Sequence, residues 1–155
     1  MNQQQEEITC NQFENVLGEY ICIHNSNTTE RPEDHFPDGN KYPSIKLCSK
    51  TLRIRANESW THLSQEDKEC MVAHEMGHRE YQHYLEGSFV TLQRYLSAAA
   101  EVAPEKEVQA DRYACRLLGT ERYLKTLFSQ RERCKADGKA MAVKEFDLRI
   151  SELKG

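Results

Sequence analysis

The apolar positions of the chain fall into two regimes. Over the first third they cluster in short β-branched and aromatic runs; from about residue 64 onward they recur at spacings of three and four, so a sheet-first, helix-later α+β chain is expected. Residues 20–24, Tyr20-Ile21-Cys22-Ile23-His24, predict a strand that ends at the turn-rich Asn25-Ser26-Asn27-Thr28. Residues 44–48 and 51–55 predict two more. In the second of these, Leu52 and Ile54 alternate with Thr51, Arg53 and Arg55, which implies one buried and one wet side. Ser49-Lys50 would close the pair as a tight hairpin, giving a small antiparallel sheet. Before it, Phe13, Val16 and Leu17 predict a short helix over 10–18, and the Pro- and Gly-bearing stretch 30–43 predicts a loop.

The first long helix is expected to start at Ser64, an N-cap with Asp67 three residues on, and to run about 22 residues, roughly 33 Å, to Gly87. Ser88 would cap a second helix with Phe89, Leu92, Tyr95, Leu96 and Ala99 on its apolar side. Pro104 then opens a third, which ends before Gly119 and carries Ala110, Ala114, Leu117 and Leu118 as its buried stripe. Two last helices, about 120–135 and 139–153, have stripes of Tyr123, Leu124, Leu127 and Phe128 and of Val143, Phe146, Ile150 and Leu153, and are expected to pair as a hairpin. No repeat or second domain is visible. The whole reads as one domain, with sheet and loops over about 10–60, central helices over about 64–118 and a C-terminal hairpin over about 120–153.

Composition narrows the class. The 155 residues are 38% hydrophobic and 30% charged, as in a soluble globular domain. A net charge of -4, with no basic run of five or more, gives no reason to expect direct nucleic-acid binding. No apolar run approaches the roughly 20 residues of a membrane span, and the polar, acidic start MNQQQEEITC is unlike a signal peptide, so a cytoplasmic protein is expected. In that compartment the six widely spaced cysteines are expected to be reduced, with packing as their main role.

One stretch dictates a chemistry. In His74-Glu75-Met76-Gly77-His78, the two imidazoles lie one helical turn apart on one face and can share a metal ion, with zinc the suited one. Glu75 lies beside that face and can act as the base that takes a proton from a water activated by the ion and returns it to a leaving amine. Cys70, one turn before His74, is better read as packing than as a ligand. A third ligand is needed, and Glu107 is the best candidate, being acidic yet on a buried stripe. Asp111, one turn later, can accept the free ring N–H of a ligating histidine, assigned here to His74. The plain alternative for Glu107 and Asp111 is a solvated face with acids at i and i+4, but two acids on an apolar stripe are costly unless something positive meets them.

His83 is the rival ligand, but on a straight helix it points roughly 140° from His78. It is assigned to the surface, as are His24, His35 and His62. Tyr81, Tyr84 and Tyr113 are all available to stabilise an oxyanion.

With these residues in view, HEMGH followed by Glu107-Val108-Gln109-Ala110-Asp111-Arg112-Tyr113-Ala114-Cys115-Arg116-Leu117-Leu118 resembles the gluzincins, and most closely the ImmA/IrrE family of metallo-endopeptidases. That family has HExxH and then E-x-x-A-[ND]-x-[FY]-A-x-x-L-L; the resemblance covers residues 45–118. It implies a zincin-like (minigluzincin) fold, zinc held by His74, His78 and Glu107, Glu75 as catalytic base, and a protein substrate such as a helix-turn-helix transcriptional repressor. The relatives continue from Leu-Leu into Met-Pro, where this chain has Gly119-Thr120. Asp111 also matches the membrane-bound HtpX-like gluzincins, whose transmembrane helices the sequence lacks. From a different class, a zinc-stabilised module that sequesters a partner without cutting it uses the same ligands.

Overall fold

The structure is a computed structural model that describes residues 10–12, 17–23, 36, 40–48, 51–81 and 105–155. The chain is α+β and forms two compact units, Met1–Glu75 and Met76–Gly155, whose boundary falls within one continuous helix.

The first unit holds a four-stranded sheet in the order β1-β2-β4-β3, built from β1 (Cys10–Gln12), β2 (Tyr20–Ile23), β3 (Ile45–Leu47) and β4 (Ile54–Ala56). β1 pairs with β2 and β3 with β4 in antiparallel fashion, but β2 and β4 run parallel, so the sheet is mixed and not antiparallel as expected. Side-chain periodicity reports which face a residue takes and carries no information on the direction of its neighbour.

In β4, Ile54, Arg55 and Ala56 are all buried, so both of its faces are covered, where the alternation places Arg55 in water. The β3–β4 connection is also longer than the two-residue hairpin expected. Cys48 donates to the Arg53 carbonyl, the Leu52 amide returns to the Cys48 carbonyl, and Leu52 takes a left-handed φ of 58°. Leu52 thus belongs to the turn and not to the strand.

Residues 10–12 form a strand where a short helix was expected, and 13–16 lie outside the described residues. This strand puts Cys10 opposite Cys22 in the register, and Cys22 is disulfide-bonded, which corrects the expectation of reduced thiols throughout. Spacing along the chain carries no information on which cysteines the fold brings together. Cys48, Cys70, Cys115 and Cys134 are not disulfide-bonded, and Cys70 is buried as a packing residue should be.

From the sheet the chain enters the helical part through Asn57, which is fully buried. Its side-chain oxygen accepts the amides of Ser44 and Trp60, and its amide nitrogen donates to the Tyr42 carbonyl, fixing the loop, the end of β4 and a short 3₁₀ helix (Glu58–His62) together. α1 (Gln65–Glu80) follows. Ser64 caps it as expected, its hydroxyl accepting the Asp67 amide at 3.2 Å. α1 closes with the Tyr81 amide on the Gly77 carbonyl, earlier than the Gly87 end expected, because residues 79–81 add no buried apolar position. Gly87, His83, Tyr84 and the helix expected after Ser88 lie outside the described residues.

The second unit contains α2 (Glu105–Leu118), α3 (Thr120–Ala136) and α4 (Ala140–Lys154). α3 and α4 pack as the expected hairpin, with an Arg131–Asp147 ion pair between them. Tyr123 and Leu127 are buried from the expected stripe of α3, and Ile150 from that of α4. Phe128, by contrast, is exposed and lies under the Lys154 ammonium. Among the described residues no helix is long and apolar enough to cross a membrane.

Candidate metal centre

α1 has no proline or internal glycine before Gly77 and a capped start, so its backbone runs regularly through residues 74–78 and sets His74 and His78 one turn apart on one face. Glu107 comes from the first turn of α2. The three residues each offer a ligand atom, and these atoms lie within 4.8 Å of one another, so the group can hold a metal ion. His78 Nε2 and Glu107 Oε1 are 3.3 Å apart. Two ligands on a tetrahedral zinc-sized ion, each about 2.0–2.1 Å from it, are separated by about 3.3–3.4 Å, so this pair already has the spacing such an ion needs. Two imidazoles and one carboxylate are also a donor set suited to divalent transition metals, with room left for a further ligand. The side chains of His78 and Glu107 are 15% and 31% exposed, which keeps the centre sheltered yet reachable by solvent.

The approach of α2 depends on Gly77. A Cβ at this position would meet the Ala110 Cα at 2.8 Å, its carbonyl oxygen at 2.9 Å and the Tyr113 Cβ at 3.1 Å. Backbone against backbone cannot yield as a flexible side chain can. Glycine inside HExxH and alanine in the second motif therefore let the end of α1 and the middle of α2 touch, which brings Glu107 to His78.

Glu75 lies next to His74, and its Oε2 accepts the Leu47 amide at 3.1 Å. Leu47 is on β3, an end strand of the sheet among the described residues, and Ser44 and Cys48 carry the bonds to the β4 side. Its N–H thus points away from β4, where it meets the Glu75 carboxylate.

Asp111 is fully buried, one turn beyond Glu107 on α2. The Tyr123 hydroxyl donates to its Oδ1 at 2.5 Å, while Arg149 donates from Nη2 to Oδ1 at 2.7 Å and from Nε to Oδ2 at 2.8 Å. Tyr123 and Arg149 are themselves 2% and 8% exposed. Burial works against the Arg149 charge, but the hydrogen bonds and negative charge of Asp111 outweigh it, aided by Tyr123 and Glu107, and its pKa is raised. Burial, with the adjacent Asp111 charge, pushes the Tyr123 phenol well above its ordinary range, so it stays a neutral donor.

Sequence reasoning missed both Arg149 and the role of the Tyr123 hydroxyl. One signal was present: two acids on an apolar stripe demanded a cation, and Arg149 sits beside Ile150 on the stripe of α4. Of the tyrosines proposed for an oxyanion, Tyr81 is exposed with its hydroxyl accepting from Arg116 at 2.5 Å, and Tyr113 is half-buried on α2. His62 is exposed at the end of the 3₁₀ helix.

No family model matches the chain, and neither does any curated protein or solved structure.

Proposed function

We propose that the chain is a zinc-dependent endopeptidase of zincin-like, gluzincin type, in which His74, His78 and Glu107 hold the ion and Glu75 is the catalytic base. The observation that carries this reading is the convergence of those three ligand atoms beside Glu75. Zinc held by these three residues would supply Lewis acidity, lowering the pKa of water and polarising a substrate carbonyl. The Glu75 carboxylate receives the proton released as water attacks and returns it to the nitrogen of the departing amine. Leu47 holds one carboxylate oxygen at the edge of the sheet while this happens. Asp111 is proposed as the carboxylate that would fix a ligating ring by accepting its free N–H, and Glu107 would supply the anionic ligand that balances the ion's charge. The substrate is a protein partner, with a helix-turn-helix transcriptional repressor the favoured class, and the protein acts in the cytoplasm.

The test is incubation of the zinc-loaded protein and its Glu75→Gln form with a helix-turn-helix repressor as candidate substrate. Cleavage by the first and not the second is expected; equal cleavage by both removes Glu75 from the chemistry. A second reading, a zinc-stabilised module that binds its partner without cutting, draws support from the Leu47–Glu75 hydrogen bond, which gives Glu75 a structural use. Under it, Glu75→Gln keeps biological activity and His78→Ala loses it.

A further inference from the structure

The buried cluster of Asp111, Tyr123 and Arg149 joins the ligand-bearing helix to both helices of the C-terminal hairpin. A structural role alone would be served as well, or better, by apolar side chains of similar volume, since a buried ion pair seldom adds net stability over them. What a planar fork adds is geometry. Two parallel N–H···O bonds fix the carboxylate in both direction and distance, and the Tyr123 hydroxyl adds a third constraint on Oδ1.

Asp111 is rigidly linked to Glu107 through one turn of α2, so whatever fixes its angular position about the helix axis fixes that of Glu107. A carboxylate some 5–6 Å from a helix axis moves by about 2 Å when the helix rolls by about 20°. That is more than half of the 3.3 Å that now separates Glu107 Oε1 from His78 Nε2. The charge of Arg149 is felt by Glu107 as well as by Asp111, so the same guanidinium offsets the repulsion between two acids on one face.

We propose that Arg149, assisted by Tyr123, is a positioning residue of the metal centre: its two-pronged grip on Asp111 sets the roll of α2 that presents Glu107 to His78. The C-terminal hairpin is thereby part of the metal site, although it supplies no ligand. This inference rests on the metal-centre reading.

The experiment compares full-length wild type, Arg149→Met, Arg149→Lys and Tyr123→Phe. Zinc affinity is measured by chelator competition, the visible spectrum is recorded with cobalt(II) in place of zinc, and helical melting of the metal-free proteins reports stability. Arg149→Met is expected to weaken zinc binding by about 10- to 100-fold, the range found when partners behind metal ligands are removed, and to change the cobalt(II) band. Arg149→Lys keeps the charge without the fork and recovers affinity in part; Tyr123→Phe, which leaves the fork intact, loses less than Arg149→Met. If wild type binds no zinc, the metal-centre reading itself fails. If wild type binds and the variants match its affinity and its cobalt(II) spectrum, whatever their melting temperatures, the positioning role is overturned. Should Arg149→Met not fold, Arg149→Lys and Tyr123→Phe decide the matter by the same two readouts.

Discussion

The two units hold their key carboxylates in opposite ways. Glu75, at the end of the first unit, is half-buried and receives a neutral backbone donor from the outermost strand. Asp111, in the second, has no exposure and receives three donors, two of them from a guanidinium. A neutral backbone donor at a partly wet edge steadies a carboxylate without the charge-assisted grip of a guanidinium. A buried, bidentate, charge-assisted set keeps a carboxylate ionised and fixed in place. A base has to change its state, while a residue that sets geometry must not. On that physical ground the two acids suit different tasks, although in the sequence both are merely acids on apolar helices.

The sharpest way to break the contrast is to remove the proton-accepting capacity of Glu75 without removing its shape. Glu75→Gln is expected to lower peptide hydrolysis by about 10²- to 10⁴-fold while zinc content, read by elemental analysis, stays at the wild-type level. At the other acid, Asp111→Ala should act mainly on the fold. It strands the buried Arg149 charge and is expected to cost about 3–5 kcal/mol in denaturant unfolding, where Glu75→Gln shifts the midpoint little. Equal destabilisation by the two would erase the distinction.

Gly77→Ala probes the helix contact on which Glu107 depends. Forcing a methyl against the Ala110 backbone should cost about 1–3 kcal/mol and weaken zinc binding, both measurable in one metal-dependent thermal melt. Leu47→Pro removes the amide donor to Glu75 at an edge position, where proline spares the ladder to β4; a loss of up to about tenfold in hydrolysis, with the melt nearly unchanged, is expected.

The smallest effect concerns pH. The Tyr123 phenol is raised above its ordinary value of 10.0 by burial first and by Asp111 second. A group whose proton is held more tightly in the folded state contributes stability that is complete below the unfolded pKa and lost as pH climbs through the folded one. Unfolding free energy should therefore decline as pH rises above about 10, and the Tyr123→Phe protein should lack that part of the decline.

Much of the local structure was legible because it depends on neighbours in sequence. The Ser64 cap, the paired imidazoles of α1, the α2 span and the final hairpin all follow from residues within one or two turns of each other. The β region was less legible. β4 lacks the expected alternation because both of its faces are covered, and the parallel β2–β4 pairing, the strand at 10–12 and the disulfide at Cys22 all depend on partners that no period encodes.

The order of residues alone places two histidines and an intervening acid in one helical neighbourhood, and puts acids at i and i+4 on the apolar stripe of a second helix. Those are consequences of 3.6-residue periodicity and need no fold. Folding sets the rest: Glu107 lies 3.3 Å from His78, the cation demanded by Asp111 is Arg149, 38 residues away, and an amide of β3 meets Glu75. Such contacts are chosen by which backbones can approach, as Gly77 and Ala110 allow, and by which buried charges can be matched. Both are properties of the packed chain and not of any segment of it.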